Sequence, residues 1–587
     1  NNDYNLNIMN IISIDIGNHT TKIYTLYNSK LNIVEGSTKR YISTAISFDN
    51  KYKCRYYADD AITKIISCPN TLVNLTSKIF DYNKIFYFDK KRYSLTGQYI
   101  YIMFINHIFN HISKTISNTF QTIIPFPDYY TQGELNTLKV SYKYSNIKDP
   151  LYIPHSVAIG LEYGLYKSIK HTFTSEMPVL FIDIGHINIS FYLIVFNNYS
   201  MTVERTWVLN NSGSDYLDKQ LLNSVVHYIT SQQNIFNSSD MSEIIDPSEA
   251  INEKVLKKIL INMENIRKNL NMFDKTTLHI DNLFNDYDLN MEITKQDYLL
   301  LYKDVLTNYK NIIEIFYDNY NISHIELLGG FSRYNIFSDI ISKLNKPPII
   351  KKTLNAEETI AKGGCLYGSV ISPIYKNMNY TIKYKYPYII YIIIDNDKPI
   401  ALKNEILPLN KDIIKRYETN KPRLGNKNIS IQIYISDNDQ LDQLKKLKPI
   451  YNIKHKASSL ISKLSLNLII ELDMIVSIKS ISYITTTHKK FNITWKEQQY
   501  NLKTYIRYNE LLTKCDIEYK NKLKLINTFE EYIYNIDTVQ KDKLNKIKPT
   551  LFDDLNDWLM NDIYTLDYKE CINQIEHYTN DIRNCLA

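Results

Sequence analysis

Two stretches in the first third of the chain spell nearly the same phrase: Ile11-Ile12-Ser13-Ile14-Asp15-Ile16-Gly17-Asn18 and Val179-Leu180-Phe181-Ile182-Asp183-Ile184-Gly185-His186. Each is an apolar run of buried-strand length ending in Asp and Gly, so a carboxylate and a bare backbone stand where the strand gives way to a turn. Without a Cβ there, a phosphate or a hydrated cation can approach the main chain. Repetition at this separation predicts two similar sub-domains facing one another, with a nucleotide's phosphates held between the two turns. A single Asp-x-Gly is an ordinary strand end. Two of them, followed by Leu328-Gly329-Gly330-Phe331-Ser332-Arg333, form a set that a chance turn does not explain.

The combination resembles the actin-like ATPase fold and, within it, the heat shock protein 70 superfamily. Residues 11 to about 380 alternate strand-like and helix-like segments. From about 386 to 498 the pattern becomes strand-rich: Ile429 to Ile435 alternates strictly, and Ile475 to Ile481 and Phe491 to Trp495 follow. From about 503 it is helical, with Leu525, Ile526, Phe529, Tyr532, Ile533 and Ile536 on one face, and Asp557-Trp558-Leu559 beyond. The expected fold is therefore multidomain α/β: an actin-like nucleotide-binding domain of two lobes over 1–380, a β-sandwich over 386–498, and a lid-like helical bundle over 503–587. That order is the order of the heat shock 70 chaperones.

Composition narrows the partners. Aromatics make up 13% of the 587 residues, which excludes a disordered chain, and the 50 Tyr against 14 Gly read as a genomic bias laid over a globular fold. Net charge is +7, with Lys spread along the chain and no basic block interleaved with aromatics, so nucleic acid is not an expected partner. No apolar run reaches the ~18 residues of a membrane span, and no membrane partner is expected. Residues Asn1 to Asn10 lack a secretory pattern, so either a presequence has been removed or Met9 is near the true start. The six Cys contain no Cys-x-x-Cys and the 12 His no ligand-spaced cluster; buried free thiols are expected, not a structural metal.

Matched position by position, the resemblance implies an intact adenosine side. Glu264, Arg267 and Lys268 fall on the family's adenine-clamping positions, with Arg333 stacking from the opposite side, Gly329 and Gly330 admitting the ribose, and Glu357 in the closing element Asn355-Ala356-Glu357-Glu358. Guanidinium planes suit stacking on a base. The phosphate side departs from the hydrolytic pattern. Gly17 is followed by Asn18 and His19 in place of paired hydroxyls, and Gly185 by His186 in place of Gly-Gly-Thr. Thr76 occupies the place of the catalytic Lys, and His155 that of a metal-proximal Glu. One transition-state stabiliser is worth about 3 kcal/mol, so losing several leaves at most a weak ATPase. ATP is the expected cofactor, with Mg²⁺ contacted through water by Asp15 and Asp183.

These departures resemble the large, atypical branch of the superfamily, the 110-kilodalton and reticulum glucose-regulated classes. Lys22 after Asp15-Ile16-Gly17, and Pro69-Asn70-Thr71-Leu72, look closer to the reticulum class, which points to the endoplasmic reticulum lumen, with the cytoplasm as alternative. The stretch Tyr380 to Tyr388 lacks the Asp-plus-leucines linker of standard members. The resemblance implies a nucleotide-exchange factor and holdase whose partners are a standard heat shock 70 chaperone and unfolded polypeptides. The alternative is an ATP-hydrolysing foldase, in which Lys78 substitutes for the missing Lys.

Overall fold

The computed structural model describes residues 10–27, 30–36, 39–49, 54–68, 70–80, 82–88, 91–116, 120–170, 176–231, 251–284, 286–372, 380–395, 397–416, 428–436, 447–457, 460–494, 503–536, 538–547, 550–559, 563 and 566–586. Of the phrases singled out above, the first nine residues, Pro69 and Trp495 lie outside them. The chain divides into two compact units, 1–42 with 108–499 and 43–107 with 500–587.

The repeated phrase produces a repeated sheet in the first unit. Strands β1 (Asn10–Ile16), β2 (Thr20–Tyr27), β3 (Lys30–Ile33), β4 (Phe120–Phe126) and β5 (Leu151–Pro154) run in the order β5-β4-β1-β2-β3. Strands β6 (Met177–Ile184), β7 (Ile189–Asn197), β8 (Ser200–Leu209), β9 (His324–Leu328) and β10 (Ile350–Lys351) run in the order β10-β9-β6-β7-β8. In both sheets the first three strands form an antiparallel meander, and the other two pair parallel on its opposite edge. β1 is buried from Asn10 to Asp15, which is why its sequence reads as an unbroken apolar run.

Each lobe buries its sheet under helices. In the second lobe Leu180, Ile182 and Ile184 of β6 share a core with Leu217, Leu221 and Val225 of helix Ser214–Ser231 and with Ile266 and Leu270 of helix Met263–Met272. In the first lobe helix Thr359–Ile371 crosses β1 and helix His155–Lys170 at a distance only glycine permits. A Cβ on Gly363 would stand 1.9 Å from the Ala158 carbonyl oxygen, and one on Gly364 2.0 Å from Ser13 Oγ.

The stretch lacking linker leucines is a strand. Thr381–Lys385 lies parallel to β8, with Ser200 opposite Thr381 and Val203 opposite Tyr384, and Ile406–Leu407 pairs antiparallel outside it. Two four-stranded antiparallel sheets follow. One orders Ile400–Leu402, Ile389–Ile394, Asn428–Ser436 and Tyr451–Lys456; the other orders Leu409–Arg416, Ile461–Ile470, Val476–Thr485 and Lys490–Asn492. Ile429, Ile431 and Ile433 point inward as the alternation predicts, and a bulge at Lys479 keeps both Ile478 and Ile481 buried.

In the second unit the strands Ala45–Asp49, Cys54–Tyr57 and Thr71–Val73 form a small sheet beside the 32-residue helix Lys503–Tyr534. Ile526, Phe529 and Ile536 pack with Leu544, Leu555, Trp558, Cys571 and Ile575 in a separate helical core; Leu525, Tyr532 and Ile533 lie at its margin. All six Cys are free thiols, and no described helix is long and apolar enough to cross a membrane.

Candidate functional site

The two Asp-x-Gly phrases end in matching hairpins. The Gly17 amide donates to the Thr20 carbonyl at 3.1 Å, and the Gly185 amide to the Asn188 carbonyl at 3.1 Å. The turns meet across the lobes: the His19 and His186 rings stack with centroids 5.0 Å apart and planes 5° from parallel, and Asn18 Nδ2 lies 3.2 Å from His186 Nδ1. Asp15 is buried at the foot of the first turn. Burial pushes its carboxyl up to about 6, against the pull of Lys22. Asp183 is half-buried, and its walling by protein, then the Asp15 carboxylate, push its carboxyl up to about 7. His155 Nε2 stands 4.0 Å from Asp15 Oδ1, but burial drives the imidazole down to about 3, so it is neutral and forms no ion pair.

The opposite wall is built on the turn after β9. Gly329 has φ +83°, and a Cβ there would meet the Ile184 carbonyl oxygen at 2.3 Å and Asp183 Oδ1 at 2.5 Å, so only glycine lets this turn lie against the second hairpin. Its amide donates to the Ala356 carbonyl at 2.8 Å, bringing in the segment that carries Glu357. Arg333 pairs with Glu357 at 3.1 Å, and Glu264 pairs with Lys268 one helical turn away at 2.7 Å. Arg333, Glu264 and Lys268 are exposed. Arg267, expected on the same surface, turns inward. Its Nε and Nη2 donate to the two Asp218 oxygens at 2.5 and 3.2 Å, and its guanidinium lies over Phe331 and Tyr334 at 5.4 and 5.6 Å. Thr76 and Lys78 belong to the second unit, on the short helix Leu75–Lys78, where Lys78 donates to the Val73 carbonyl.

Three of the buried acids, Asp218, Asp128 and Glu358, were given no role by the sequence reading. Asp218 lies on the apolar stripe of its helix between Leu217 and Leu221; an acid on such a stripe is the signal that could have found it. Asp128 accepts from the Ser156 amide at 3.0 Å, the Ser156 hydroxyl, and the Tyr384 hydroxyl at 3.0 Å, joining the helix start at His155 to the strand Thr381–Lys385. Glu358, next to the expected Glu357, accepts from Tyr24 at 2.5 Å and Arg40 at 2.9 Å, and pairs with Lys362 at 3.2 Å.

Burial alone would raise the Glu358 carboxyl, but hydrogen bonds from Arg40, Tyr24 and Lys362 outweigh it and hold the group at about 2. A depressed carboxyl contributes stability above its unfolded value of about 4.3 and loses it as pH falls through the folded value. The native chain should therefore be more stable than Glu358→Gln at neutral pH, with an advantage that shrinks below about pH 4 and disappears near pH 2. Denaturant melts across that range check this, and an advantage independent of pH would contradict it.

The duplicated sheets, the paired hairpins and the Gly329 turn define a two-lobed α/β architecture consistent with the actin-like ATPase fold. The profile of the Hsp70 protein family matches residues 11–586, and the chain belongs to that family. Among similar proteins, Heat shock 70 kDa protein 16 of Arabidopsis thaliana is 23% identical over 317 residues, 52% of this chain and 40% of that protein. Heat shock protein 110 of Caenorhabditis elegans is 23% identical over 275 residues, 45% of this chain and 34% of that protein. The 97 kDa heat shock protein of Strongylocentrotus purpuratus is 24% identical over 303 residues, 49% of this chain and 32% of that protein. The matches thus span between 32% and 40% of the length of these relatives.

Members of the family bind ATP with Mg²⁺. The residues of this site fit the nucleotide: two half-buried glycine turns, each closed by its own hairpin bond, lie with the exposed ion pairs Glu264–Lys268 and Arg333–Glu357 beside Gly329 and Gly330. They do not fit the cation. Burial raises the Asp15 and Asp183 carboxyls, the Lys22 charge acts on both, and the position expected to carry a metal-proximal Glu holds a neutral imidazole. Among the described residues no three His, Cys, Asp or Glu side chains converge as ligands.

Proposed function

We propose that this chain is an ATP-binding co-chaperone that acts as nucleotide-exchange factor and holdase for a standard heat shock 70 partner. The observation that carries the reading is the asymmetry of the cleft. The adenosine wall keeps its paired charges, Glu264 with Lys268 and Arg333 with Glu357, while the phosphate turns present imidazoles, and position 155 a neutral histidine. Such a site holds nucleotide without the charged groups that drive phosphoryl transfer. Its own turnover is then not its purpose, and nucleotide serves to hold the lobes together.

The same reading divides the chain into a nucleotide domain over 1–380, a β-sandwich formed by the two four-stranded sheets over 386–498, and a lid-like helical bundle over 503–587. It takes unfolded polypeptide as a second partner, held rather than released by ATP. The compartment proposed is the endoplasmic reticulum lumen, on Lys22 and Asn70-Thr71-Leu72, with the cytoplasm as alternative. The foldase alternative needs a catalytic ammonium, and Lys78 is engaged with the Val73 carbonyl.

Stopped-flow release of fluorescent ADP from a standard heat shock 70 chaperone tests the proposal. Acceleration by this chain, dependent on ATP and lost in Gly330→Trp, is the expected result. No acceleration of partners from either compartment would refute exchange activity.

A further inference from the structure

We infer that Lys22 replaces the divalent cation of this cleft, so that the chain takes nucleotide phosphates without Mg²⁺. This rests on the nucleotide-binding reading above. The molecule contains its own comparison, because the two hairpins have the same register. In the second lobe Asp183 lies opposite Ser190; in the first, Asp15 lies opposite Lys22. Residues directly opposed on antiparallel strands share a face with Cβ atoms about 5 Å apart, so the lysine stem begins beside Asp15.

The Lys22 charge acts on both Asp15 and Asp183, and the two carboxylates, one from each lobe, lie near enough for the Asp15 charge to act on Asp183. Two carboxylates beside one ammonium attract a hydrated dication weakly, because the dication would sit against a resident positive charge; the Asp128 carboxylate, whose charge also reaches Asp183, is taken up by Ser156 and Tyr384. On the phosphate-facing side, exposed His19 and half-buried His186 offer ring N–H donors, and the Gly17 and Gly185 turns keep backbone accessible. The polyphosphate would therefore meet a lysine and two imidazoles where a metal-dependent site presents a bound ion. Lysine serves as a point charge toward phosphate and needs no particular coordination geometry.

The test is equilibrium binding of fluorescent ADP and ATP to the full chain, in excess Mg²⁺ and in excess EDTA. The native chain is expected to differ by less than about threefold between the two buffers, below the tenfold that corresponds to one significant interaction. Lys22→Ser, which copies Ser190 from the sister hairpin, is expected to bind at least about tenfold more weakly in EDTA and to recover in Mg²⁺. Lys22→Arg keeps the charge and should remain indifferent to the metal. Tight binding by the native chain in Mg²⁺ that collapses in EDTA overturns the inference and leaves the nucleotide reading standing. No binding in either buffer overturns both. Should Lys22→Ser fail to fold, the native and Lys22→Arg comparisons decide the matter alone.

Discussion

Asp516→Ala is expected to cost the second unit about 3–5 kcal/mol, because it strands a buried guanidinium. Arg55 is 3% exposed at its side chain. Its Nε and Nη2 donate to Asp516 Oδ2 at 2.9 and 2.7 Å, its amide donates to Oδ1 at 2.8 Å, and Nη1 and Nη2 reach Asn509 and Thr513 at 2.9 and 3.0 Å. Asn509, Thr513 and Asp516 follow one another at helical spacing, so one stripe of helix Lys503–Tyr534 is devoted to this arginine, flanked by Tyr505 bonded to Asn106 and Tyr519 bonded to Tyr56. Removing Thr513 or Asn509 leaves the charge pair intact and should cost only about 1 kcal/mol each. Chemical denaturation gives the energies. Amide hydrogen exchange should show the first four turns of the helix losing protection in Asp516→Ala while Ile526 and Phe529 keep theirs, since those belong to the separate helical core. A loss in Asp516→Ala no larger than in the exposed neighbour Lys514→Ala would remove the arginine as the anchor.

That stripe marks where sequence reasoning stops. The lobes were legible because their information is local: an apolar run, an Asp, a Gly, and the same words again. The sheets after residue 386 were legible in part by alternation, and the strand Ile461–Ile470, with Leu464, Leu466, Leu468 and Ile470 all inward, carried the same signal without being picked out. The anchors of the structure are of another kind. Arg55 meets Asp516 across 461 positions, and Glu358 meets Arg40 across 318. An arginine whose partner is far along the chain looks like any solvated cation, and a helix face of Tyr, Asn, Thr and Asp has no apolar period to detect. The candidate site divides along the same line. Asp15 and Asp183 were marked by the repeated phrase and Gly329 by the Gly-Gly turn, while Glu264 and Lys268 were marked by the family resemblance; the inward turn of Arg267 depends on Asp218, whose only mark is an acid set on an apolar helix stripe.

That inward turn makes the second large prediction. Arg267 and Asp218 are 8% and 12% exposed at their side chains, and burial pushes the Asp218 carboxyl up to about 6 against the pull of the guanidinium, leaving it ionised at neutral pH. Asp218→Ala abandons a positive charge between Phe331 and Tyr334, and Arg267→Ala abandons a negative one beside Leu217 and Leu221; each should destabilise the chain by about 3–5 kcal/mol. Replacing both partners with apolar residues of similar volume, Asp218→Leu with Arg267→Met, removes the desolvation cost together with the attraction and should fall near the native stability. A double-mutant cycle closed with the single variants Asp218→Leu and Arg267→Met, read by denaturant melts, isolates this coupling. The folded double variant also asks what Arg267 does for the nucleotide. With its guanidinium committed to Asp218, base contact falls to Lys268, Glu264 and Arg333, and fluorescent ADP should bind the double variant within about threefold of the native chain. A loss of tenfold or more, about 1.4 kcal/mol, in a variant of native stability would return Arg267 to the adenine wall and make the Asp218 pair a resting position that the base displaces.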